Sequence, residues 1–488
     1  METGTLISLT AYFVLMIGIG LYAWRVSTSD SAGYLLAGRN LHPAVAALSA
    51  GASDMSGWLL LGLPGALYTA GLIEAWIGIG LFVGAFANWY FVAPRLRQQT
   101  EELGNALTIP QFLANRFPER AVALRVVSAI VIVAFFSVYT AAGLVGGGKL
   151  FETSFAALFG DLGISDYMMG IYLTAGVVLA YTMVGGFLAV SLTDFVQGCI
   201  MVVALVLMPV VILTGGTDLG AVTASPGTPA DYLSLFGGLT TIGFLSAVSW
   251  GLGYFGQPHI IVRFMAVRSV ADVATARNIG MSWMAVALIG ALGVGVAGRA
   301  FVEANGLVVD DPETIFIVLA NLLFHPLITG FLLAALLAAI MSTISSQLLV
   351  ASSSLTEDFY RLFLRKHAGD GEAVNVGRLC VLLVATVAVA IAADPDSQVL
   401  GLVSNAWAGF GAAFGPLIIL ALTWPRMTGS GAIAGLITGA AVVVGWIAMG
   451  WNLVFLDGGG LYEIIPGFIA ATLAIVGVSL TTVAPRHD

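Results

Sequence analysis

Charge is the scarcest property of this chain. Only 9% of its 488 residues are Asp, Glu, Lys or Arg, against 59% hydrophobic ones, and mean hydropathy is +0.99. Soluble globular proteins carry roughly 25% charged residues. A soluble enzyme or binding module is therefore excluded, and a polytopic, all-α membrane protein is expected. Cysteine is almost missing: Cys199 and Cys380 both lie in apolar segments, which argues against a disulfide framework or a cysteine metal site. The five histidines, His42, His259, His325, His367 and His487, are scattered, mostly near segment ends, so no hydrolytic constellation is expected. Basic residues are absent from Met1–Leu6, where a cleavable signal would need them. Residues 7–24, closed by Arg25, read instead as a first membrane helix with its N-terminus outside. No loop is long enough to add a soluble activity, and no kinase or sensor module is expected after the last helix. The net charge of −9 reflects acids in short outer loops and points to neither nucleic acid nor an obligate protein partner.

What the chain does have is long apolar segments. Thirteen approach the roughly 20 residues that a bilayer requires: 5–25, 42–70, 73–94, 125–150, 166–184, 187–214, 238–266, 276–301, 325–353, 376–393, 398–422, 430–450 and 463–483. With the N-terminus outside, all of the 18 basic residues except Lys149 and Arg299 fall on inner loops, Arg263, Arg268 and Arg486 included. Asp161, Asp218, Asp310, Asp311, Glu313 and Asp457 fall outside. That bias supports 13 spans, N-out and C-in, with a multi-pass location in the bilayer of a bacterial cytoplasmic membrane. The inner loop 95–124 should hold a short surface helix near 109–115. The outer loop 215–237, rich in Gly, Thr, Ser and Pro, should be mobile.

Three stretches interrupt the apolar pattern. Ser49-Ala50-Gly51-Ala52-Ser53-Asp54-Met55-Ser56-Gly57-Trp58 places an acid between helix-weakening glycines. An ionised Asp54 in hydrocarbon is costly, so it should face the interior or a water-filled cavity; a kinked helix with a neutral, hydrogen-bonded Asp is the plainer reading. About 200 residues later, Ser249-Trp250-Gly251-Leu252-Gly253-Tyr254-Phe255-Gly256-Gln257-Pro258 breaks a second segment. Paired Gly/Pro-interrupted spans point to a transporter built from inverted repeats. The third stretch, Ala339-Ile340-Met341-Ser342-Thr343-Ile344-Ser345-Ser346-Gln347, supplies neutral hydroxyls. These suit helix packing. They equally suit a monovalent cation such as Na⁺, with unwound carbonyls of Ala52 and Met55 completing its oxygen shell.

Together with Gly253–His259 and Met341–Thr343, the stretch Ser49–Trp58 resembles the sodium:solute symporter family. Gly185–Val190 leading to Asp194 and Gln197, and Asn405–Pro416, fit as well, so the likeness extends over nearly the whole chain. It implies the leucine-transporter type of fold: five plus five inverted helices, with one helix before and two after. The divisions would be 1–40, 41–215, 216–424 and 425–488. By this resemblance Na⁺ is held by the carbonyls of Ala52, Met55 and Ala339 and the hydroxyls of Ser342 and Thr343. Asp54 matches an acid important for coupling, Asp194 a residue on the ion's inward exit path, and Arg39 an inner-gate arginine. The substrate cavity would be lined by Ser56, Gly57, Trp58, Tyr139, Trp250, Tyr254, Gln257 and Pro258.

Within the family the resemblance points to uptake of L-proline by Na⁺-driven symport, with no organic cofactor. The chemistry is compatible. Unwound N–H groups can receive a carboxylate. Aromatic faces can pack a ring and attract an ammonium. The residues alone do not choose proline over another zwitterion, and most aromatics of such a chain are ordinary core or interface residues. A sodium- or proton-coupled permease for another small zwitterionic or organic solute is the alternative; a proton-coupled one would use a carboxylate and would not need Ser342 and Thr343. A channel is disfavoured because the breaks are discontinuous helices without a repeated filter sequence.

Overall fold

His-Pro pairs start two of the central helices. His42 and His325 each adopt extended backbone and accept a hydrogen bond at Nδ1, from the amides of Ala44 and Leu327. Pro43 and Pro326 then occupy the first helical turn, where a missing N–H costs nothing. The computed structural model describes residues 3–26, 33, 36–155, 163–224, 228–456 and 458–482. Asp161, Asp457, Arg486 and His487 lie outside them.

The described chain is helical apart from a two-residue hairpin, Val454–Phe455 with Gly458–Gly459. In order, the helices are α1 (Thr3–Val26), α2 (Pro43–Asp54), α3 (Leu63–Ala70), α4 (Leu72–Glu102), α5 (Ile109–Arg116), α6 (Ala121–Phe155), α7 (Asp166–Thr214) and α8 (Thr241–Val248). After them come α9 (Pro258–Ala266), α10 (Asp272–Ala304), α11 (Ile315–Leu323), α12 (Pro326–Leu355), α13 (Asp370–Ala392), α14 (Val399–Thr423), α15 (Gly429–Ala448) and α16 (Ile464–Thr481). Among the described residues ten helices are long and apolar enough to cross a membrane, and α2 with Trp58–Ala70, bent by 61°, forms an eleventh span. The two remaining apolar segments are helical but interrupted. Segment 166–184 is the first part of α7, which breaks at Gly186 (φ 60°, ψ −158°). Segment 238–266 is α8, a 3-10 stretch Ser249–Gly256 and α9.

Helices α12 and α14 form the core, each with 83% of its apolar window buried, whereas α1, α13 and α16 have 28% buried. The polar third stretch therefore sits at the centre of the molecule. The glycines of the second break serve close packing. A Cβ on Gly251 would press into the α4 backbone at Gly80, and one on Gly253 would overlap the Trp407 indole. Pro258 does not kink a continuing helix: it starts α9 at the first turn, which needs no N–H.

Two loop expectations change. The helix α5 buries Ile109, Phe112 and Leu113, so it packs rather than resting on the surface. In loop 215–237, Tyr232 is buried and donates to the Leu67 carbonyl (2.7 Å), while Leu72 N donates to the Tyr232 carbonyl (2.8 Å), pinning that part to the end of α3.

Candidate functional site

The carbonyls that α2 no longer uses set up the centre. At its end Met55 leaves helical geometry (φ −77°, ψ 69°), and Ser56 N donates to Asp54 O instead of reaching back to Ala52. The Ala52 carbonyl is thereby released, and Ser342 Oγ on α12 donates to it at 2.7 Å. Ser342 Oγ also lies 3.1 Å from Ala339 O, and Thr343 Oγ1 donates to the same carbonyl at 3.2 Å. Four of the five expected ion ligands thus meet across two helices. Met55, the fifth, is the buried residue that closes α2. Free carbonyls at a helix C-terminus are the negative end of its dipole, so this point favours a cation.

Asp54 is 2% exposed. One oxygen accepts from the Tyr254 hydroxyl, joining the two broken segments. Its other oxygen has no partner among the described residues, nor do Tyr139 Oη, Gln257 Oε1 or either His259 ring nitrogen. Tyr139 and His259 meet edge to face, at 5.6 Å between ring centres. Buried polar atoms are ordinarily paired, so unpaired atoms on three elements mark a place for a polar ligand. The aromatic wall is built around Trp407: Tyr254 packs on its edge at 5.0 Å, its Nε1 donates to Trp250 O at 2.7 Å, and its carbonyl accepts from Gln257 Nε2 at 3.1 Å. Trp250 in turn stacks on Tyr462 at 5.2 Å.

Other expected lining residues point elsewhere. Trp58 is buried with its indole N–H on the Asp54 carbonyl (3.1 Å), so it braces the break. Ser56 Oγ accepts from Trp58 N, and Gly57 stands where a Cβ would come 3.2 Å from Ile340. Pro258 lines a separate small cavity with Thr108, Phe187 and Leu349.

The arginine-rich face below this centre is closed. Arg39 donates to Asn105 Oδ1 (2.7 Å), Met265 O (2.9 Å) and the Thr100 hydroxyl (3.2 Å). Backbone bonds from Leu41 N to Ala266 O and from Arg268 N to Leu41 O zip the entry of α2 to the exit of α9. Burial, then the neighbouring Arg97 charge, lowers Arg39 to about 10, which leaves it cationic at neutral pH.

Asp194 sits inside a charged cluster that the sequence reading missed. Arg263, counted there among inner-loop arginines, is 1% exposed on α9. It pairs with Asp194 (3.1 Å) and donates to Ser49 Oγ (3.1 Å), Ser346 Oγ (2.5 Å) and its own helix at His259 O. A guanidinium whose three nitrogens all donate to buried acceptors holds α2, α7, α9 and α12 together, which is why it is not in a loop. The signal was available: an arginine one turn inside an apolar stretch beginning at Pro258. Trp407, His259 and Tyr462 were also missed as members of the centre, because their type and spacing are those of core aromatics.

The sodium:solute symporter family profile matches residues 34–439. The protein called high-affinity proline transporter PutP, from Bacillus subtilis (strain 168), is 53% identical over 474 residues, 97% of either chain. A protein called sodium/proline symporter from Staphylococcus aureus (strain NCTC 8325 / PS 47) is 50% identical over 491 residues, covering 99% of this chain and 93% of its own. Among solved structures, an outward-open, substrate-bound Na⁺-coupled sialic acid symporter superposes over 100% of both chains at a TM-score of 0.80 and 19% identity. A closed nucleobase-cation-symport-1 family transporter, Mhp1, covers 92% of this chain and 95% of its own at a TM-score of 0.55 and 14% identity. These two likenesses establish the fold.

Proposed function

This chain belongs to the sodium:solute symporter family, and from that membership we propose that it takes up L-proline together with Na⁺ by alternating access. It is a transporter and not an enzyme. The observation that carries the reading is the contact of Ser342 on α12 with the released Ala52 carbonyl of α2, beside the half-unpaired carboxyl of Asp54. Sodium is cargo here. Its ligands are the carbonyls of Ala52, Met55 and Ala339 and the hydroxyls of Ser342 and Thr343. A cation takes the hydroxyl lone pairs, and their protons turn away from the carbonyls. Asp54 adds negative charge one turn away.

Proline binds next to it. Its carboxylate faces the broken turn at the Gly57 N–H and the Ser56 hydroxyl, and its ring packs among Tyr139, Trp250 and Tyr254. Gln257 Oε1 and the free Asp54 oxygen accept from the ammonium. Pro258 and Trp58 support this pocket from behind. Arg39 holds the inner face shut, and Asp194 receives the ion on its way inward once Arg263 shifts. The 13-span arrangement, N-out and C-in in the bacterial cytoplasmic membrane, puts 41–215 and 216–424 in opposite orientations. The direct test is uptake of labelled proline into vesicles at fixed pH, driven by a Na⁺ gradient or by choline. Uptake only with Na⁺ supports the reading; equal uptake in choline, or a better response to another zwitterion, refutes it.

A further inference from the structure

Away from the polar centre, a lateral crevice of about 270 Å³ opens between α4 and α14. Its walls include Phe91, Val92 and Arg95 of α4, Phe255 of the 3-10 stretch, and Ile419 and Leu422 of α14. Phe91 is 55% exposed, so the crevice faces outward to the bilayer and not into the centre. Arg95 is the one charge on it. Its guanidinium bends back onto the Phe91 carbonyl (2.8 Å), which places it over the crevice, and no carboxylate among the described residues pairs with it. Beyond it, Gln99 Nε2 donates to Leu422 O at 3.3 Å and ties the two helices. This end of the bundle also carries Arg97, Arg120 and Arg268, and the charge bias assigns it to the cytoplasmic leaflet.

An apolar slot between two spanning helices with one unpaired guanidinium at its basic end is complementary to an amphiphile with an anionic head. A guanidinium matches phosphate geometry in two-pronged fashion, and basic pockets between spanning helices suit acidic headgroups. We propose that this crevice holds an anionic phospholipid, one acyl chain against Phe255 and the phosphate on Arg95.

The position gives such a lipid leverage on transport. Phe255 follows Tyr254, whose carbonyl accepts from Asn88 Nδ2 at 2.9 Å. Asn88 opens a π-helical turn, Asn88–Val92, and that turn presents Phe91 and Val92 to the crevice. The same two elements therefore shape the lipid crevice on one side and hold Tyr254 toward Asp54 on the other. An acyl chain in place steadies that wall and raises ligand affinity at the centre; this consequence rests on the proposed function, whereas lipid binding does not.

The test measures retention of lipid by the purified full chain in detergent, by native mass spectrometry, with phosphatidylglycerol and phosphatidylcholine of identical chains. Wild type should prefer phosphatidylglycerol by about tenfold, from the charge-assisted contact. Arg95→Gln should bring the preference close to unity, and Arg95→Lys should keep part of it. Thr423→Trp, at the crevice wall, should lower retention of both lipids. Equal retention of the two lipids by wild type overturns the phosphate contact. Unchanged retention in both Arg95→Gln and Thr423→Trp, each confirmed as folded by an unshifted thermal transition, overturns the site. No transport is read, so failure here is distinct from failure of the proline assignment, which labelled-proline binding decides alone.

Discussion

At the scale of single residues, the proposal divides oxygen donors from charge. Ser342 and Thr343 each carry one neutral oxygen that reaches a carbonyl of the other element or of the preceding turn. Removing one hydroxyl from the proposed five-oxygen shell should weaken ion binding without touching the aromatic wall. Thr343→Ala and Ser342→Ala should each raise the Na⁺ concentration for half-maximal uptake, by about tenfold or more on the scale of a lost hydrogen bond to a charge. Proline affinity at saturating Na⁺ should change far less. Unchanged sodium dependence in both variants places the ion elsewhere. For Asp54 the expectation is harsher. Asp54→Asn keeps an acceptor for the Tyr254 hydroxyl but loses the charge, so coupled uptake should nearly vanish while the protein stays in the membrane. Normal uptake by a well-expressed Asn variant would reduce Asp54 to a structural role. These residues were legible because hydroxyls and a carboxyl in hydrocarbon are conspicuous. Trp407 was not, since an aromatic at the centre has the same sequence appearance as one in the core.

Among the elements, the broken segments and α12 are bound by polar contacts rather than by apolar packing alone. The first break was visible in the sequence, since Gly51, Asp54 and Gly57 disfavour a continuous helix. The second was visible as a break but not in its form, because the 3-10 path of Ser249–Gly256 is imposed by the approach of α4 and Trp407. The helix boundaries at His42-Pro43 and His325-Pro326 follow from local chemistry, whereas the fate of Arg263 depends on four helices meeting. That cluster yields a prediction. Arg263→Gln leaves Asp194 buried without its cation, and breaking a buried pair costs about 3–5 kcal/mol. The thermal transition in detergent should fall markedly, and Asp194→Asn in the same chain should restore part of it. Additive losses, with no recovery in the double variant, would mean that the pair does not act as a unit in the folded protein.

At the scale of the whole molecule, the two proposed sites are coupled through α2. Sodium's proposed ligands come from α2 and α12, so its binding joins the broken segment to the central helix. That contact lies about one turn from the groups proposed to meet proline. Holding the turn at Asp54–Gly57 in one geometry lowers the ordering cost of substrate binding. Sodium should therefore raise proline affinity, and linkage requires proline to raise sodium affinity by the same factor. A factor of about 5–150 is the usual range for such coupling. The proposed inner-face closure through Arg39 and the Leu41–Ala266 zipper would belong to the same cycle, because α2 and α9, which it joins, belong to the two broken segments that meet at Asp54 and Tyr254. Equilibrium binding of labelled proline to the purified protein, titrated with NaCl against choline chloride at constant ionic strength, reads the coupling directly. The midpoint for proline should fall as Na⁺ rises and then level off, and Thr343→Ala should move the sodium axis of that curve without moving its limit. A proline midpoint indifferent to sodium would separate the two sites energetically and leave co-transport without its thermodynamic basis.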